Sequence, residues 1–241
     1  MDQTEIDALT SAAQQATSQG AFETTIVTAE MPNAEALNHK LKSIVLAHQE
    51  KNQGVSRSNV NGWQSAPDML SARWGGEAAI SVVQLALATC NRFSMDLKMT
   101  DTPRFEWTAD MWANVSGTGA SNNWHVHPQA FWSAVYYVDD GYDGPDDSKA
   151  GGELVFQDPR FPMNRMFSSE LVFRSPDGRP QGHTATIRPR NGMLIAFPSW
   201  LFHRVLTYQG VGPRISLAIN MTVMPARSPQ DTNTGKRPEW R

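Results

Sequence analysis

The chain has one cysteine, Cys90, among 241 residues. That excludes an internal disulfide framework and a cysteine-rich zinc cluster, and it fits a reducing compartment. Cytoplasm is the expected location. No apolar run approaches the roughly 18 to 20 residues that a membrane-crossing helix needs, so no membrane partner is expected. The opening Met1-Asp2-Gln3-Thr4-Glu5 lacks the basic and apolar regions of a secretory signal. There is no basic block either. Lys and Arg number 21 against 24 Asp and Glu, for a net charge of −3, and the basic residues are scattered. Broad phosphate-backbone binding is therefore not expected, and no nucleic-acid partner is assigned. A small anionic substrate stays compatible, because it needs only one or two local arginines. No internal repeat is present.

The chain that remains fits one domain over residues 1–225. A helical N-terminal part covers 1–100 and a β core covers 105–224. Residues 226–241 are polar and proline-containing, and read as a tail or extended arm. In the first part, 4–17 reads as a surface helix. A second helix is expected over 33–50, with Asn33 as N-cap and Leu37, Leu41, Ile44 and His48 on one face. A third is expected over 76–94, with Ile80, Val83, Leu87 and Cys90 as the buried stripe. The glycine- and proline-containing stretch 51–75 reads as an ordered loop with short strands. From Phe105 the period changes to two: Phe105, Trp107, Ala109, Met111, Ala113 and Val115 alternate with more polar residues. Further strands are expected at 123–127, 130–138, 153–157, 184–188, 193–197, 203–208 and 214–223, with breaks rich in Gly, Pro, Asp and Asn. The fold class is therefore α+β, mainly β: a sandwich or barrel such as a jelly roll, with N-terminal helices buttressing one sheet.

Three histidines and one arginine carry the chemistry. His125 and His127 sit in Trp124-His125-Val126-His127-Pro128. In a strand, residues i and i+2 point to the same face, so this pair can present two imidazoles together. His203 follows the turn Pro198-Ser199-Trp200-Leu201-Phe202 and opens a strand, which makes it the best third ligand. His39 and His48 fall on a helix and His183 in a loop. Arg214 begins the strand run Ile215-Ser216-Leu217. A strand arginine facing a cavity can grip a carboxylate through its planar fork. Beside a mononuclear metal, that suits a keto-acid cosubstrate, and the combination favours an oxygenase.

These residues sit in a longer ordered set. Ser133-Ala134-Val135-Tyr136-Tyr137-Val138 follows the His-x-His-Pro element. Then come Gly151-Gly152-Glu153-Leu154-Val155-Phe156-Gln157-Asp158-Pro159-Arg160, Pro189-Arg190-Asn191-Gly192, the run to His203, and Arg214-Ile215-Ser216-Leu217. Gly62-Trp63-Gln64-Ser65 belongs to the same pattern. Over about 105–224 the chain resembles the Fe(II)/2-oxoglutarate-dependent oxygenases, most of all their bacterial and phage members with a His-x-His-Pro element. The resemblance implies a double-stranded β-helix, Fe(II) and 2-oxoglutarate. It implies metal ligation by His125 and His203, a carboxylate grip by Arg214, and a hydroxyl from Tyr136 or Tyr137 at the cosubstrate. One departure stands out. The family usually has Asp or Glu where this chain has His127, so its facial triad of two His and one carboxylate becomes three His. His127 is expected to ligate all the same.

The activity so implied is hydroxylation of a small-molecule or peptide substrate with O2, releasing succinate and CO2 from 2-oxoglutarate. A cupin-like three-histidine dioxygenase without 2-oxoglutarate would explain His127 but would leave Arg214 without a role. A non-enzymatic jelly-roll module with structural zinc would need a fourth ligand. Arg160, Trp63 and Trp124 are candidate substrate contacts, each with a packing or solvated alternative. Phe131 and Trp132 are expected to pack in the core, Asn114 and Asn123 to orient ligands, and Gly151-Gly152 to allow a tight turn or close backbone approach.

Overall fold

The computed structural model describes residues 2–98, 104–144, 147, 149–166, 168 and 170–226. The expected tail, 226–241, lies outside the described residues except for Ala226. Helix α1, Gln3–Gln14, is capped by Asp2 and Glu5 in a reciprocal capping box and buries no residue. Strand β1 (Val27–Glu30) leads into α2 (Ala34–Lys51), and two short strands, β2 (Asn59–Val60) and β3 (Trp63–Gln64), precede α3 (Gly76–Arg92). Eight strands follow: β4 (Phe105–Ser116), β5 (Ser121–His125), β6 (Trp132–Asp139), β7 (Leu154–Gln157), β8 (Thr184–Ile187), β9 (Met193–Pro198), β10 (His203–Val205) and β11 (Arg214–Pro225). Among the described residues no helix is long and apolar enough to cross a membrane.

The strands form two antiparallel sheets, a six-stranded one ordered β1-β9-β6-β11-β4-β3 and a five-stranded one ordered β2-β5-β10-β7-β8. The architecture is the double-stranded β-helix that the strand pattern and the family resemblance implied. Alternation along the larger sheet sends side chains to two different places. On its outer face Met111, Ala113, Ala134, Tyr136, Leu217 and Ile219 join residues of α2 and α3 in the larger core. On its inner face Tyr137, Ile195 and Phe197 meet Leu154 and Phe156 of the smaller sheet in a second core. Central strands such as β9 are thus buried on both faces, which explains its unbroken apolar run Met193-Leu194-Ile195-Ala196-Phe197.

Two helix details differ from expectation. Asn33 occupies the N-cap position of α2 but is left-handed (φ 53°) and makes no side-chain cap bond. The chain enters α2 by packing instead: Met31 N–H donates to the Gly192 carbonyl at 2.9 Å, and a Cβ on Gly192 would lie 2.6 Å from Ala34 Cβ. On α3 the buried residues are Ala78, Ala79, Val82, Val83, Ala86, Thr89 and Cys90, while Ile80 is 40% exposed. Val83 and Cys90 of the expected stripe are thus buried, and Leu87 packs at the edge of the core. The observed face is built of small side chains, which let the helix approach β6, β9 and β11 closely. Cys90 is buried, and burial pushes its thiol up to about 12, as suits an inert core residue. Trp132 is buried in the same core, but Phe131 is 53% exposed, against expectation: it precedes β6, outside the sheet.

The Gly151-Gly152 pair permits close approach of three segments. Both residues have positive φ, 63° and 78°. A Cβ at Gly151 would collide with the Thr207 carbonyl oxygen, and one at Gly152 would sit 3.1 Å from the Arg214 side chain. Gly151→Ala therefore combines strain with a backbone clash. It is expected to destabilise the fold by more than about 1 kcal/mol, read as a lower urea midpoint at unchanged slope; an unchanged midpoint would contradict this packing.

Candidate metal centre and cavity

A cavity of about 380 Å³ lies between the sheets, lined among others by His125, His127, His203, Tyr137 and Arg214. Two of the histidines are placed by strand register. His125 on β5 and His203 on β10 are direct antiparallel partners, so their side chains leave the sheet side by side. His125 Nδ1–H donates to the Asn123 carbonyl at 2.7 Å, and His203 Nδ1–H donates to the Leu201 carbonyl at 2.8 Å. These bonds hold each ring with its Nε2 lone pair free, the tautomer a metal ligand requires.

His127 reaches the site by a different route from the one its spacing suggested. The expected strand 123–127 ends at His125. Pro128 offers no N–H, and Gln129 turns the chain with φ 76°. His127 is held instead by its own N–H, which donates to the Ser199 carbonyl of the β9–β10 turn at 2.9 Å. Its ring stands nearly perpendicular to that of His125, at 84° and 5.0 Å. The two are therefore not parallel neighbours on one strand face.

The ligand atoms of the three histidines lie within 4.8 Å of one another. His127 Nε2 and His203 Nε2 are 3.2 Å apart. Two nitrogens bound at about 2.1 Å to one ion and roughly at right angles would lie about 3 Å apart, so the His127–His203 pair is spaced as two ligands of a single transition ion, with His125 close by. Burial lowers all three pKa values, first by desolvation, to about 4 for His127 and about 3 for His203, with the charge of His125 adding to both. The rings are thus neutral near pH 7 with their lone pairs available. No carboxylate lines the cavity among the described residues. Asp139, the next acidic residue along the chain, instead pairs with Lys42 at 2.7 Å.

Arg214 forms the second element. It is 2% exposed, and its Nε and Nη2 have no hydrogen-bond partner among the described residues. Its guanidinium carbon lies 5.1 Å from the Tyr137 ring, whose buried hydroxyl also lacks a partner. Burial raises the pKa of that hydroxyl, opposed by the positive charge of Arg214. A buried, unpaired guanidinium beside a neutral phenol is a cradle for a carboxylate.

The remaining candidates separate. Tyr136 points to the other face of the sheet, where its hydroxyl donates to Asn38 Oδ1 at 2.6 Å. Trp63 donates its indole N–H to the Asn52 carbonyl at 2.8 Å and packs on the helical side, so it anchors a loop outside this cavity. Trp124 lies under the Arg204 guanidinium, 4.8 Å from ring to Cζ, and Arg160 is paired with Asp158 at 2.7 Å. Neither lines the cavity. Asn123 supports His125 through its backbone, not its side chain, whereas Asn114 faces the cavity. Trp112, Gln64, Ser216 and Arg57 also line it; of these, the sequence had drawn notice only to Gln64, as part of the Gly62-Trp63-Gln64-Ser65 pattern. The alternation of β4 already places Trp112 and Asn114 opposite the core residues Met111 and Ala113; Arg57 has no comparable local signal.

Residues 110–220 match the family model described as "Putative 2OG-Fe(II) oxygenase". This segment, a little under half of the chain, is similar to the 2OG-Fe(II) oxygenases. Fe(II) and 2-oxoglutarate are the cofactors that this family match implies, and the three histidines and the Arg214 cradle fit them. Among solved structures, a prolyl hydroxylase from Trichoplax adhaerens, solved with a hypoxia inducible factor oxygen degradation domain peptide fragment, is similar with a TM-score of 0.55 and 12% identity, over 82% of this chain and 83% of that one. SnoN, a non-heme alpha ketoglutarate dependent epimerase from nogalamycin biosynthesis, gives a TM-score of 0.53 and 12% identity over 94% and 85% of the two chains. SnoK, a carbocyclase from the same biosynthesis, gives 0.52 and 11% over 91% and 90%. At these identities the likeness is one of fold. No curated protein matches the chain.

The geometry sets a direct expectation for metal binding. Dialysed against Co(II), the metal-free chain takes up one ion per chain, and His203→Ala loses it, while His39→Ala, on the surface of α2, keeps it. Full stoichiometric binding by His203→Ala would place the metal elsewhere.

Proposed function

We propose that the protein is a non-haem Fe(II)- and 2-oxoglutarate-dependent dioxygenase, with residues 1–225 acting as one domain in the cytoplasm. His125, His127 and His203 hold the metal. Arg214 and Tyr137 hold the far carboxylate of 2-oxoglutarate. The overall reaction consumes 2-oxoglutarate, O2 and a substrate C–H bond, and yields succinate, CO2 and the hydroxylated product. The bound metal and cosubstrate supply the oxidising power. The chain supplies position and dryness. The carbonyls of Asn123 and Leu201 orient two rings, and the second core walls off one end of the cavity.

The observation that carries this reading is the buried Arg214 guanidinium, unsatisfied at Nε and Nη2, in the same cavity as three converging imidazoles. A buried cation without a partner is costly, and a dicarboxylate that also reaches the metal removes that cost. A three-histidine dioxygenase that does not use 2-oxoglutarate accounts for the missing carboxylate ligand, but it leaves Arg214 unpaired. A structural zinc site would lack a fourth protein ligand among the described residues.

The test is succinate formation by anaerobically purified, Fe(II)-loaded protein on admitting O2. Wild type is expected to turn over slowly without substrate, and His127→Ala and Arg214→Ala to lose that turnover. By calorimetry, Arg214→Ala is expected to weaken 2-oxoglutarate binding roughly 10- to 100-fold, the worth of a charge-assisted hydrogen-bonded pair. Failure of wild type to bind 2-oxoglutarate at all would sink the proposal.

A further inference from the structure

A second arginine, the solvent-exposed Arg57, borders the cavity and is left unused by the proposed reaction. Arg57 lines it from the loop between α2 and β2, and its guanidinium has no ion-pair partner among the described residues. The loop is firmly built. Arg57 N–H donates to Asn59 Oδ1 at 2.7 Å, and Asn59 Nδ2 donates to the Gly62 carbonyl at 2.9 Å. Val55 N–H donates to the Gln64 carbonyl at 2.8 Å, and Asn122 Nδ2 to Ser58 Oγ at 3.2 Å. The backbone that carries Arg57 is thereby tied to β3 and β5.

A polar row crosses the cavity floor. Gln64, Asn114, Ser216 and Tyr137 are successive register partners on β3, β4, β11 and β6, and all four face the cavity. Tyr137, beside Arg214, stands at one end. Gln64, bonded to the Arg57 loop, stands at the other. Trp112 borders the space between this row and the metal centre, 5.7 Å from the His127 ring.

The charges point the same way. Three neutral imidazoles contribute none. Fe(II) and the two carboxylates of 2-oxoglutarate cancel. Arg214 and Arg57 then leave the filled site positive, and no acidic side chain among the described lining residues offsets them. A carboxylate in place of His127 would have lowered that balance by one.

We infer that the substrate is a small molecule bearing an oxyanion, carboxylate or phosphate, which Arg57 grips while Gln64 and Asn114 hydrogen-bond along the row toward the histidines. This rests on 2-oxoglutarate occupying the Arg214 end. Arg57 is then the residue that selects anionic over neutral substrates, through the fork geometry that matches either group.

The experiment is a ligand-observed NMR titration of the full chain, kept anaerobic with Fe(II) and saturating 2-oxoglutarate. The probes are acid–amide pairs of one shape, benzoate with benzamide and N-acetylvaline with its amide, together with phenyl phosphate. Wild type is expected to bind an acid or the phosphate about tenfold or more tightly than the amides. Arg57→Gln is expected to bring that ratio close to one, and Arg57→Lys to restore part of it. A larger preference for the carboxylates assigns a carboxylate substrate; a larger one for phenyl phosphate assigns a phosphate. Equal binding of acids and amides by wild type, no binding of any anion, or a preference that survives Arg57→Gln would overturn the inference. Binding of 2-oxoglutarate is followed in the same samples from its own resonances, so failure of the oxygenase reading is seen separately.

Discussion

A guanidinium that is 2% exposed and has no partner on Nε or Nη2 is the constraint on which the rest of the site turns. Burying a charge costs several kcal/mol unless it is paired. The surroundings of Arg214 hold that charge in place without neutralising it. Gly152 leaves room for its side chain, where a Cβ would press on Cδ and Nε. Tyr137 presents a ring 5.1 Å away and a hydroxyl that is itself unsatisfied. Apolar side chains from both sheets fill the neighbouring core. The fold thus spends stability to keep one cation ready for an anion, which is a common arrangement at binding sites.

The three histidines proposed to hold the metal come from three separate pieces of backbone. Register between β5 and β10 brings His125 and His203 together, and a bond from His127 N–H to Ser199 in the β9–β10 turn supplies the third ring. The same turn carries the Leu201 carbonyl that orients His203. One short segment, 198–203, therefore fixes two of the three candidate ligands. Because all three are neutral, the centre differs from a two-histidine, one-carboxylate site by one unit of charge. That difference extends to the whole cavity, whose described lining includes two arginines and no acid.

Much of this was legible beforehand, for physical reasons that differ by residue. Alternation along 105–116 reports a sheet with two unlike faces, and β4 has them: Met111 and Ala113 in the core, Trp112 and Asn114 toward the cavity. His203 and Arg214 stood out because each opens a strand after a turn, and both lie in the cavity. Neighbouring residues of similar type were harder to separate. Tyr136 and Tyr137 are equivalent in composition, and only strand phase sends one to Asn38 and the other to Arg214. On α3 the expected stripe held at Val83 and Cys90 but not at Ile80, because close helix–sheet packing selects the small residues.

Residue types and their order along the chain thus determined the chemistry on offer: imidazoles in place of thiols, and an arginine opening the strand eleven residues after the last histidine. They also determined the strand period, since a two-residue repeat follows from backbone geometry alone. The tertiary structure decided which side chains share a space. It moved His127 from a strand to a turn, excluded Trp63, Trp124 and Arg160 from the cavity, and brought in Arg57 from a loop far away in sequence. Such choices depend on register and on hydrogen bonds between distant segments, and no local pattern encodes those.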